Sequence, residues 1–213
     1  MNARRAAAAV CAALTLVSAC GGHAEATTPL TASQAKTVLP DARALPGWKV
    51  SIEPVAYTLK EARSVGAARC ERMVARNSCV GVQNTGTSAF SRTGQPLVYF
   101  LVQTYQDEAS AKSAYGTVWK SWKQEVPESR VLWNGKIREE SDALVGSTTS
   151  MVKGSKGLLI QVRVGSVIMV SMAEAGAQVD MADSYLDRFA DAFAKRAEEV
   201  QEGTTPSAGL MEN

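Results

Sequence analysis

The sequence predicts an α+β fold: a single domain with a mainly antiparallel sheet, packed by helices and ending in a long C-terminal helix. Three features predict it. Val98, Tyr99, Phe100, Leu101 and Val102 are apolar in succession, the pattern of a strand covered on both faces. Two apolar runs rich in β-branched residues, 158–164 and 167–172, flank Gly165-Ser166, a Gly-X pair that signals a type II′ hairpin. Segments 107–125 and 179–200 place apolar residues at helical spacing, and strands and helices do not alternate in a strict βαβ rhythm.

Along the chain, 32–38 suggests a short helix, capped by Thr31 or Ser33 and stopped by Pro40. Leu45-Pro46-Gly47-Trp48 is a turn feeding a strand over 49–56, and 59–75 favours helix. Residues 80–91 are polar and β-tolerant and read as extended, before the apolar strand 97–105. Asp107 is placed to cap the next helix, whose apolar stripe is Ala111, Tyr115, Val118, Trp119 and Trp122, and which ends at Pro127. Strands over 130–139 and 144–153 follow, joined by a polar turn, and then the hairpin. The final helix carries Ala182, Tyr185, Leu186, Phe189, Phe193 and Ala197 on one face.

The N-terminus has the three parts of an export signal: Arg4 and Arg5, an apolar run over 6–17, and the small residues Ser18 and Ala19. The run is twelve residues long, short of the ~20 needed to span a bilayer as a helix. Val17-Ser18-Ala19-Cys20 resembles a bacterial lipobox. That resemblance implies a diacylglyceryl group on the Cys20 sulfur, cleavage before Cys20, and anchoring at the outer face of the cytoplasmic membrane, since two acyl chains hold where one binds only marginally. The competing reading is an ordinary secretory leader with Cys20 a bystander. The expected organisation is a signal peptide over 1–19, a lipidated tether over 20–31, the domain over 32–201 and a disordered tail over 202–213.

Removing the leader takes away two of the 23 basic residues and none of the 21 acidic ones, so the remainder carries 21 of each. A neutral domain offers no basic stripe for a nucleic-acid partner. Cys11 leaves with the leader, and Cys70 and Cys79 remain as an even pair in an exported domain, where a disulfide is the expected state. A metal site would need further Cys or His ligands, and a redox dithiol needs Cys-x-x-Cys spacing.

Several of these features come in an order that resembles actinobacterial lipoproteins: lipobox, tether, Leu45-Pro46-Gly47-Trp48, the cysteine pair, Gln103-Thr104-Tyr105, the helix start at Asp107 and Val162-Arg163-Val164-Gly165. Those proteins look like the extracellular sensor domains of mycobacterial receptor serine/threonine kinases. The resemblance spans roughly residues 30–200. It implies an α+β sheet domain with a ligand-binding groove. The kinase sensor domains carry two disulfides, whereas this domain has cysteines for one, and the resemblance assigns no binding residue.

Chemistry is constrained by what is missing. The single histidine, His23, falls in the tether, so a triad based on a positioned imidazole and a histidine zinc site are not expected within the domain, and neither cofactor nor metal is called for. Gly154-Ser155-Lys156-Gly157 is too short for a phosphate loop and precedes a strand. Glu139, Glu140 and Asp142 cluster in the predicted turn; they are the raw material for paired-acid catalysis or simply a solvated loop. Trp119, Trp133 and Arg163 are the candidate ligand contacts: aromatic walls of an apolar groove, with Met151, Met169 and Met172 beside them, and a guanidinium for a ligand carboxylate or phosphate. The competing readings put the tryptophans in the core and Arg163 on an exposed sheet face. The expected function is therefore a non-enzymatic, membrane-anchored sensing or binding domain for a small apolar or amphipathic ligand. The alternatives are an accessory envelope lipoprotein with a protein partner and a carboxylate-based envelope enzyme.

Overall fold

A computed structural model describes residues 29–72, 79–148, 153–179 and 185–210. The predicted leader, Cys20, His23, Met151, Ala182 and the end of the predicted helix at 73–75 lie outside the described residues.

β1 (Lys49–Thr58), β2 (Val82–Ser91) and β3 (Leu97–Tyr105) form one antiparallel meander. β4 (Arg130–Asn134), β5 (Glu140–Ser147), β6 (Lys156–Val164) and β7 (Val167–Ala175) form a second. The two join where β3 pairs antiparallel with β7, Leu97 opposite Glu174 and Thr104 opposite Val167. The result is one seven-stranded sheet in the order β1-β2-β3-β7-β6-β5-β4. Helices α1 (Ala32–Val38) and α5 (Tyr185–Gln201) cover one face, while α2 (Leu59–Ser64) and α4 (Glu108–Lys123) pack on the other, with the short α3 (Arg69–Arg72) following α2.

The period of two along each strand builds both cores. On β6, Leu158, Ile160, Val162 and Val164 face α1 and α5, and Leu159 faces α4. On β3, Val98, Phe100 and Val102 face one way and Leu101 and Tyr105 the other, so the predicted two-sided strand is the centre of the sheet. Phe100 meets Phe193 edge-on at 5.4 Å and Phe90 at 6.0 Å, and Trp48 meets Phe189 at 5.4 Å. Such edge-to-face pairs add about 0.5–1.5 kcal/mol each beyond the area they bury.

The local signals for α1, α4 and the hairpin act as expected. Thr31 and Gln34 form a capping box on α1, and Asp107 accepts the Ser110 amide at 2.7 Å to start α4. Gly165 has φ 51° while Ser166 keeps negative φ, the sign pattern of a type II′ turn.

Five expectations change. The helix expected over 59–75 breaks after Ser64, because Gly66 at φ 68° takes the left-handed conformation that ends α2. The strand expected over 130–139 stops at Asn134, and the next begins at Glu140 rather than 144. The polar run Glu140-Ser141-Asp142 therefore lies in the sheet, not in a turn. Val179 sits in a turn closed by its amide on the Gly176 carbonyl at 3.0 Å. The tail expected to fray from 202 is bound as far as Leu210, whose amide donates to the Ala44 carbonyl at 2.8 Å. Glu199 accepts the Ser207 and Ala208 amides at 2.9 and 3.2 Å and holds that return. Leu30, placed in the tether by composition, is buried in the core, and Asn84 donates to its carbonyl at 2.7 Å.

Candidate ligand-binding site

α4 packs on β3, β7 and β6, and the sheet extends beyond it. Over β1 and β2 on that same face, the cover is α2 and the turn that follows it. Between that turn and the sheet is a cavity of about 230 Å³.

Strand register sets its floor. Val55, Thr87 and Leu101 stand directly opposite one another across β1, β2 and β3, and Tyr57 and Thr85 pair in the adjacent row. Gly86 lies between the two threonines because β1 passes very close there. A Cβ at Gly86 would fall 2.6 Å from the Val55 carbonyl oxygen and 2.7 Å from the Ala56 Cβ. The wall is Ala67 and Arg69. The Ala67 and Ala68 amides both donate to the Ala62 carbonyl, at 2.7 and 3.2 Å, which folds the turn back over the sheet.

Arg69 precedes Cys70, and Cys70 is disulfide-bonded to Cys79 with the two Cα atoms 5.1 Å apart. The bond ties α3 to the entry of β2, so the guanidinium hangs from a cross-linked backbone. It lies 5.5 Å from the centre of the Trp122 ring of α4, a cation–π contact. No carboxylate pairs with Arg69 among the described residues. Thr87 Oγ1 is buried and has no hydrogen-bond partner among the described residues. Tyr99 lies beside this region, and burial first, then the Glu174 carboxylate, raises its phenol pKa against the pull of Arg69.

A second groove, of about 530 Å³, runs along the start of α4 past Val80 and Gly81. Its charged lining residue, Asp107, is already engaged in capping α4.

The three candidate contacts read from the sequence are not brought together. Trp119 is half-buried on α4 against the core between that helix and the sheet. Trp133 is on the opposite face, where its indole N–H donates to Asp187 of α5 at 3.0 Å and Lys136 lies 5.6 Å from its ring. Arg163 is 3% exposed, and its guanidinium binds Glu108, Glu139 and Glu140 and donates to the Gly165 carbonyl at 3.0 Å. Its place on an exposed face is thus overturned, and its donors are occupied. Burial alone would lower its pKa, but Glu140, Glu139 and Glu108 together raise it. Met169 and Met172 point to opposite faces and share no groove.

The acids are engaged as well. Glu139 and Glu140 hold Arg163, and Asp142 accepts the Tyr115 hydroxyl at 3.0 Å. Gln161, two residues before Arg163, donates to the Tyr115 carbonyl at 2.9 Å, so a polar seam locks α4 to β5 and β6. No group of three or more His, Cys, Asp or Glu placed for a metal ion occurs among the described residues. No described helix is long and apolar enough to cross a membrane.

The residues that do line the cavity escape sequence reading for two reasons. Thr85 and Thr87 sit in a strand with no strong periodicity, and their neighbours on β1 and β3 are set by register. Arg69 had one visible signal, its adjacency to a stapled cysteine.

No protein-family model matches the chain, and no curated protein matches it in sequence. Among solved structures, the fold is similar to the extracellular domain of PknH from Mycobacterium tuberculosis, with a TM-score of 0.50 and 10% identity, over 83% of this chain and 99% of that one. The chain therefore shares its overall fold with a known extracellular domain.

Proposed function

We propose that the chain is an extracytoplasmic lipoprotein, anchored through Cys20, whose domain binds a small ligand without transforming it. One observation carries the reading: among the described residues, the cavity over β1–β3 joins an arginine with no carboxylate partner to an apolar floor that carries a buried, unbonded hydroxyl. A few polar groups in a mostly apolar concavity is the usual form of a binding site. The likeness to an extracellular domain supports the location, and the lipobox-like Val17-Ser18-Ala19-Cys20 supports the anchor. Engagement of Glu139, Glu140 and Asp142 by protein partners argues against a paired-acid enzyme. An accessory role through protein contacts calls for a contiguous apolar patch. Among the described residues the exposed large apolar side chains are Ile52 and Val131, on β1 and β4 at opposite edges of the sheet, and Val65 and Val80, in the turns after α2 and after Cys79.

Two measurements test this. Native mass spectrometry of the purified protein is expected to show a reproducible adduct that is lost on denaturation; a consistently bare mass, with no adduct after incubation in cell-envelope extract, counts against binding. Cys20→Ala is expected to leave an unlipidated, uncut precursor. A variant that still runs as the mature form in the membrane fraction refutes the anchor.

A further inference from the structure

We infer that the cavity over β1–β3 takes a small amphiphilic monocarboxylate, its head on Arg69 and its apolar body on Val55 and Leu101. This deepens the binding-domain reading above and rests on it.

Arg69 is the odd one out among the half-buried and buried arginines whose partners are resolved. Arg138 is held by Asp191 and Glu198, Arg163 by three glutamates, and Arg196 by four backbone carbonyls. Arg69 has the Trp122 ring instead. A cation–π contact uses the charge but leaves the N–H donors free. Planar donors with no acceptor among the described residues, at the wall of a concavity, match a carboxylate or a phosphate.

The rest of the cavity narrows the class. Among the described residues Arg69 is the single charged one lining it, so one negative charge is matched there and a dianionic phosphate is not. The floor beyond it is Val55 and Leu101, which calls for hydrocarbon. Thr87 Oγ1 is closed to solvent and has no hydrogen-bond partner among the described residues, so a turn of its side chain toward the cavity would give a ligand oxygen a donor that is costly to leave unmade. At about 230 Å³ the space falls below the ~300–1,000 Å³ of drug-sized ligands, so the body is a short chain or one ring.

The test is calorimetric titration of the full, disulfide-bonded chain with hexanoate, hexan-1-ol and hexylammonium. Hexanoate is expected to bind at one site, about tenfold or more tighter than hexan-1-ol, the worth of a charge-assisted hydrogen bond. Arg69→Met, which keeps the apolar stem, is expected to abolish that preference. Arg69→Lys is expected to keep part of it, and Thr87→Val to weaken hexanoate several-fold. Circular dichroism checks each fold; if Arg69→Met does not fold, the wild-type ratio and the Lys and Val variants decide. Equal binding of hexanoate and hexan-1-ol, or tighter hexylammonium, overturns the carboxylate assignment while the binding domain stands. Failure of all three probes in a folded protein that still carries a native adduct overturns this cavity as the site. Failure together with a bare native mass overturns both readings.

Discussion

Arg196 of α5 donates to the Leu39 carbonyl at 3.2 Å, across the junction between the last helix and the first. The same guanidinium takes the Val38 carbonyl at 3.1 Å and the Thr37 carbonyl at 3.0 Å, the open C-terminal end of α1, and the Ala208 carbonyl of the returning tail at 3.1 Å. Pro40 prevents α1 from continuing, so these carbonyls need an outside donor. Burial lowers the Arg196 pKa, with Asp41 and Glu199 opposing. Arg196→Met is expected to cost about 3 kcal/mol, since several buried acceptors lose their donor at once. Urea unfolding checks it, and a loss below ~1 kcal/mol would show that α1 and the tail are held by other contacts.

The Cys70–Cys79 bond closes a sequence separation of nine residues. The chain-entropy model gives about 2–3 kcal/mol for so short a loop. Cys70→Ser with Cys79→Ser is expected to lower stability by that amount, and to weaken any ligand held by Arg69 by more than its effect on folding explains. Comparing unfolding midpoints and ligand affinity in the same samples separates the two effects.

Alkali is the next lever. Tyr105 is fully buried and Tyr115 nearly so, and loss of water raises both phenols above the ordinary 10, helped at Tyr115 by Asp142. Below pH 10 both folded and unfolded phenols keep their protons, and the contribution is fully present. Above it the unfolded phenols ionise while the folded ones do not, so stability falls. The slope is about 1.4 kcal/mol per pH unit for each buried tyrosine. Tyr99, raised less, adds to the same slope, so Tyr115→Phe is expected to remove roughly a third to a half of the slope measured between about pH 10 and 11. An unchanged slope would falsify the assignment.

Gly86→Ala tests the close approach of β1 to β2. With the added methyl 2.6 Å from the Val55 carbonyl oxygen, the edge strand must shift, at a cost of about 1–3 kcal/mol. Amide exchange is expected to accelerate in β1 before β6 or β7. Uniform acceleration across the sheet would mean that β1 does not move independently.

Much of this fold is legible from one sequence where a signal is local. Residues 97–105 are apolar on both faces because both faces are covered, and Asp107 caps α4 from within one turn. The miss at 140–142 has a different cause. Glu140 stands opposite Arg163 in the register of β5 and β6, and three carboxylates make burial of that arginine tolerable. A charged run that looks like a loop becomes a strand once its partner, 23 residues on, is known. The cavity is harder still, since its floor draws on three strands and its wall on the turn and short helix that follow Gly66. Trp119, Trp133 and Arg163 attract notice as residue types, yet each already has its packing or its partners.

Leu30 and Leu210, near the two ends of the described chain, both pack into the layer formed by α1 and α5. The cavity opens on the reverse side of the sheet, beside Leu101. A surface that grips the protein by either end therefore holds it by its back. A fluorophore, affinity tag or chip linkage placed before Leu30 or after Leu210 is screened from the cavity by the full thickness of a β-sheet. Either end can serve as a handle while the opposite face stays free to meet solution.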